Sequence, residues 1–141
     1  MSIKLILAYP PSANHYLGRT KNGMSYLKQG AKDYHALVGY QILDQERDYK
    51  TIGYPMQMTV LAIPPDRRKR DNTNLEKVLK DSLERNGVYT NDNLVWDFRI
   101  KWDYYKDGNE FKYRIDPDKK GWVEVEISEI KADEKRLINE L

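Results

Sequence analysis

The sequence predicts a single α+β domain, with a mixed or antiparallel sheet packed against two main helices. Three observations carry this reading. The chain has 141 residues, the length of one domain. Its apolar residues alternate in short runs and recur at three- and four-residue spacing in two longer ones. Although 33% of the residues are charged, 11 Tyr, 3 Trp and 2 Phe supply bulky core material. A chain of this size buries roughly 68% of its unfolded surface and folds without cross-links.

The first strand is Ile3 to Tyr9, stopped by Pro10-Pro11. Residues 10–15 are expected to be extended, because a residue before proline avoids the α region. Residues 17–30 carry three glycines with Arg19, Lys21 and Lys28, a basic loop or hairpin whose turn is Asn22-Gly23. The spacing of Ala31, Tyr34, Leu37, Val38 and Ile42 predicts a helix over 30–46, with Gly39 as a liability of about 1 kcal/mol. Met56 to Ile63 reads as a buried strand ended by Pro64-Pro65. Leu75, Val78, Leu79 and Leu83 mark a second helix that stops near Asn86-Gly87. Leu94 to Tyr105 reads as one long strand, its Tyr and Trp residues serving strand and core, with a base-stacking surface as the alternative. Asp107-Gly108 marks a hairpin returning through Phe111 to Ile115, and Asp116 to Gly121 another turn. Val123, Val125 and Ile127 alternate with polar residues in a half-exposed strand. Residues 131–141 are a charged tail, helical or frayed, of the single domain 1–141.

Composition narrows the chemistry. There is no cysteine, so disulfides, zinc ribbons, iron–sulfur clusters and thiol catalysis are excluded. With only His15 and His35, a histidine-rich zinc site is excluded as well. A catalytic metal would be held mainly by oxygen, which points to Mg²⁺ or Mn²⁺. No apolar run approaches the ~18 residues of a membrane span, and the N-terminus reads as a strand rather than a signal peptide, so a reducing cytoplasmic setting is expected.

The net charge is only +2, but its distribution is uneven. Arg67, Arg68, Lys69 and Arg70 run directly into Asp71. Such a run neutralises phosphates, although it also fits a solvated edge. An acid beside a phosphate-binding run makes sense if a divalent cation sits between them. Asp71, Asn72 or Thr73 can equally cap the following helix, and Thr73 with Glu76 fits a capping box. Asp92 has two readings, a turn aspartate or a second acid of the site. Lys77, ordinarily a surface lysine, could stabilise charge there. Asn14 and His15 read as a polar turn after the prolines, with His15 as a general base the alternative.

Three blocks, taken in order, resemble the RusA-type Holliday junction resolvases: Pro10-Pro11-Ser12-x-Asn14, then Arg67-Arg68-Lys69-Arg70-Asp71-x-x-Asn74-Leu75-x-Lys77, then Gly87-x-x-x-x-Asp92. The resemblance implies a small α+β homodimer, often encoded by prophages, that cuts four-way or other branched DNA in recombination and repair with Mg²⁺. It implies that Asp71 and Asp92 are catalytic acids that hold the metal, that Lys77 is the essential lysine, and that Arg67, Arg68, Lys69, Arg70, Asn74 and Asn14 contact DNA. The sequence departs from the family pattern at Thr73, where a second aspartate is expected and only a weak hydroxyl ligand is offered. It departs again at Asn91, beside Asp92. Residues 103–121 are longer than the family's short C-terminus. Thr73 also motivates a second reading, a branched-DNA-binding protein that has lost cleavage. A structural module with a merely solvated basic face is the third.

Overall fold

A computed structural model describes residues 2–130, without the side chains of Ala13 and Asn14, so the expected tail at 131–141 lies outside the described residues. The alternation at the N-terminus becomes strand β1, Ser2–Ala8, which buries Ile3, Leu5 and Leu7. Met56, Met58, Val60 and Ala62 do the same in β4 (Met56–Ile63), and Val123, Val125 and Ile127 in β8 (Trp122–Glu129). Hydrogen bonding orders the main sheet β1-β8-β4-β5, where β5 is Val95–Trp102. The first two pairings are antiparallel, while β4 and β5 are parallel, so the sheet is mixed.

The two expected helices are α2, Gln29–Gln45, and α3, Asn72–Arg85. Ala31, Tyr34, Val38 and Ile42 of the first join Leu75, Val78, Leu79 and Leu83 of the second in one core with the inward sheet residues. Gly39 has a packing reason: a Cβ there would lie 2.4 Å from Asn86 Oδ1. Asn86 ends α3 and its amide donates to the carbonyls of His35 and Ser82 at 3.0 and 2.9 Å.

Local expectations fail in two places. Residues 10–15 are not wholly extended, because Ala13–Tyr16 form one helical turn, α1, closed by His15 N–H to the Ser12 carbonyl at 3.0 Å. The proline constraint reaches only the residues that precede a proline. The basic segment after it takes the hairpin form of the two that were open, β2 (Leu17–Arg19) with β3 (Ser25–Leu27). The long strand expected over 94–105 is broken at Asp103. β5 runs out of partner where β4 meets Pro64-Pro65, so the chain leaves the sheet as a separate hairpin, β6 (Tyr104–Asp107) with β7 (Glu110–Tyr113). Of the aromatic residues between 94 and 105, Trp96, Tyr104 and Tyr105 are exposed rather than core, while Phe98 packs against the core.

The path β4–α3–β5 is a parallel crossover, and it decides where the acids sit. The chain leaves the C-terminal end of β4 into Asp71, runs back along α3, and enters β5 from the opposite end just after Asp92.

Candidate metal and nucleic-acid site

The loop between β4 and α3 is organised by one acid. Asp66 Oδ1 accepts from the Arg68 N–H at 2.9 Å and from the Arg70 guanidinium at 2.6 Å. Arg70 also donates to the carbonyls of Asp66 and Arg68 at 2.8 and 2.9 Å, and its guanidinium lies 5.7 Å from the centre of the Tyr9 ring. The Arg68 N–H, followed by Arg70, holds the Asp66 carboxyl below its ordinary value of 3.8. The loop clamp is therefore complete above that value and is lost as pH falls through the lowered one. Arg70 is thus folded into the loop, with its side chain 20% exposed against 86% for Arg68. Arg67, Arg68 and Lys69 are exposed.

Asp71 is the N-cap of α3, and its Oδ1 accepts from the Thr73 N–H at 2.9 Å. The capping box does not form, because Glu76 turns to Lys80 at 3.0 Å. Capping engages one oxygen of Asp71; among the described contacts Oδ2 stays available to a ligand. The carboxylate borders an open cleft of about 430 Å³ lined by Tyr9, Pro10, Pro11, Ser12, Pro65, Lys69, Arg70, Asp71, Asn74 and Leu75. Residues about sixty positions apart in sequence, the proline block and the Asp71 block, thus share one concavity. The helix N-terminus adds partial positive charge to it. Thr73 is exposed in the first turn of α3, one turn before Lys77, which is also exposed and makes no ion pair among the described residues. Asn14 has its backbone in α1, next to the cleft residue Ser12, and its side chain lies outside the described residues.

Asp92 is elsewhere. Its N–H donates to Glu84 Oε1 at 2.7 Å, in the last turn of α3. Glu84 lies thirteen residue steps beyond Asp71, about 20 Å along the helix axis. The Asp92 carboxylate is exposed at the start of a 3₁₀ turn, Asp92–Leu94, that Asn91 caps. Within one copy of the chain, Asp71 and Asp92 therefore stand at opposite ends of α3. No group of three or more acidic or histidine side chains that could hold a metal assembles among the described residues.

The sequence reading missed the support behind the loop. Trp102, the last residue of β5, donates its indole N–H to Asn72 Oδ1 at 2.9 Å. The Tyr113 ring packs edge-on against Trp102, with 4.6 Å between centroids, and Arg67 lies 5.5 Å from the centre of Tyr113. The Asp116 N–H donates to the Pro64 carbonyl at 2.9 Å, and a Cβ on Gly121, at φ +75°, would meet Pro65 at 2.9 Å. No local pattern announces these contacts, because they join residues 11 to 56 positions apart in the sequence.

Among the described residues no helix is long and apolar enough to cross a membrane. The sequence matches the endodeoxyribonuclease RusA family over residues 8–128. It is 32% identical over 87 residues to the crossover junction endodeoxyribonuclease RusA of Aquifex aeolicus, an alignment covering 62% of this chain and 68% of that protein. The proteins of the same name from Escherichia coli K12 and Enterobacteria phage 82 are each 30% identical over 96 residues, covering 68% of this chain and 78% of theirs. The matched span holds β4, the basic loop, α3 and β5 together, and with it the cleft around Asp71: the chain belongs to the RusA family of endodeoxyribonucleases.

Proposed function

We propose that this chain cuts four-way or other branched DNA as a metal-dependent homodimer. The observation that carries the reading is the cleft that unites Pro10 to Ser12 with Lys69, Asp71 and Asn74 at the head of an exposed cationic loop. Exposed Arg67, Arg68 and Lys69 hold the phosphate backbone, while Arg70 keeps the loop in shape for them. Asn74, and Asn14 from the neighbouring turn, add polar contacts to the strand.

The donors suit a hard cation: one free carboxylate oxygen on Asp71 and a hydroxyl on Thr73, with no soft ligand nearby. Mg²⁺, with Mn²⁺ as substitute, would be held by Asp71, Thr73 and Asp92. When bound, the ion supplies an activated water and neutralises phosphate charge. Asp92 reaches that place only from a second copy, because about 20 Å of α3 separates the two acids within one. An isologous two-fold pairing sets Asp92 of each copy beside Asp71 of the other and makes two equivalent sites, as two symmetric strand cuts require. Lys77 stabilises charge on the phosphate as the bond breaks. A cytoplasmic location and a prophage setting belong to the same reading; a relative from a phage supports the latter.

The test is cleavage of a labelled four-way junction against linear duplex, with Mg²⁺, Mn²⁺ or EDTA. Paired incisions that need metal and vanish in Asp71→Asn are expected. Junction binding without incision would favour the cleavage-deficient binder that Thr73 suggests. In Thr73→Asp, a carboxylate is restored, and the Mg²⁺ concentration for half-maximal cutting should fall several-fold.

A further inference from the structure

The hairpin β6–β7 contributes nothing to the core, and it lines no part of the Asp71 cleft. Its register pairs Tyr104 with Tyr113, Tyr105 with Lys112, Lys106 with Phe111 and Asp107 with Glu110. Opposed residues share a face, and faces alternate along each strand. One face therefore carries Tyr104, Lys106, Phe111 and Tyr113. The other carries Tyr105 with Asp107, Glu110 and Lys112, and its Lys112 and Asp107 close on each other in an ion pair at 2.9 Å.

The aromatic face is the one tied to the cleft loop. Tyr113 packs on Trp102 and lies under Arg67, and Trp102 holds Asn72, the residue after Asp71. From this fixed base the strip continues outward to Tyr104 and Phe111, which are 64% and 74% exposed. Rings this open add no packing. Lys106 stands opposite Phe111, and Arg67 lies over Tyr113 at the base of the strip.

We propose that this face is a stacking platform for an unpaired nucleobase at the branch point of the DNA. The proposal rests on the junction-cutting reading above and adds the source of its selectivity. Charge and continuity select the occupant: the strip is contiguous with the Arg67 to Lys69 loop, so a strand whose phosphates lie on that loop presents its bases to the rings. Every base has a π-face that such rings accept. Bases inside a duplex arm are stacked on one another, whereas those at a branch are the easiest to unstack. Phosphate contacts position any DNA but do not distinguish a branch from an arm, and the rings supply that distinction.

The experiment uses the full chain in EDTA and a junction carrying 2-aminopurine at the branch. Binding of the wild-type protein should quench the probe. In Tyr104→Ala/Phe111→Ala, quenching should disappear and junction affinity should fall roughly five- to hundredfold. Duplex affinity should not change. Tyr105→Ala, on the opposite face, should behave as wild type, and Phe111→Tyr should keep the quenching. A double variant that retains wild-type junction affinity and quenching overturns the platform and leaves the junction-cutting reading intact. So does a double variant whose oligomeric state changes in sedimentation, which would make the strip a contact between copies. Wild-type protein that binds junction and duplex equally overturns the functional reading itself.

Discussion

The two ends of α3 use polar groups in opposite ways. At the C-terminal end several polar groups are spent on contacts within the protein, between elements and within α3 itself. The Asn86 amide ties to α2, the Tyr49 hydroxyl donates to the Asn86 carbonyl at 2.8 Å, and Arg85 pairs with Asp81 at 2.9 Å. The Tyr16 hydroxyl donates to the same Asp81 and lies 3.2 Å from His35 Nε2. At the N-terminal end a single carboxylate oxygen caps the helix, and three exposed cations lie on the preceding loop. One end joins α1, α2 and α3; the other leaves its charges available to a ligand. The comparison teaches that the binding chemistry sits where folding makes the least demand on it.

The strongest way to break the comparison is Asp71→Asn. Asparagine caps as well as aspartate, so stability should hold while junction cleavage falls about a hundredfold or more in single-turnover assays. A large loss of melting temperature instead would make Asp71 a structural residue first.

The second test asks whether the two ends meet across a dimer. Asp71→Asn and Asp92→Asn, each inactive alone, should regain nicking when mixed. In a two-fold pair with shared sites, one site recovers both wild-type acids and the other loses both. No recovery would assign the acids to separate tasks.

The third sharpens the contrast with matched substitutions. Asn86→Ala should destabilise by about 1–3 kcal/mol in urea denaturation, because it strips a donor from the His35 and Ser82 carbonyls. Asn74→Ala, at the cleft, should leave stability nearly intact and weaken DNA binding.

The smallest expected effect is on pH dependence. Burial lowers the pKa of His35 from its ordinary 6.5, with Asp81 opposing the shift and Arg85 adding to it. Neutral His35 therefore contributes stability that is complete above 6.5 and is lost as pH falls toward the lowered value, where the unfolded chain binds the proton more readily. The decline should flatten in His35→Gln. His35 Nδ1 is buried without a partner, so it offers the added proton no acceptor.

Much of this was legible in residue order. The alternation at Ile3, Leu5 and Leu7, the helical spacing from Leu75 to Leu83 and the stop at Asn86-Gly87 each report a local period or a local backbone preference, and each reappears as an element. The association of Arg67 to Asp71 with Asn74 and Lys77 was legible for the same reason, since one loop and one helix hold them. Gly39 looked like a liability because its reason, Asn86, lies 47 residues away. The break at Asp103 was hidden because it depends on where the neighbouring strand ends. Above all, sequence order could name Asp71 and Asp92 but not their separation. A parallel crossover must carry the chain back along a whole helix before the next strand begins, and that topology alone puts the two acids at opposite ends of α3.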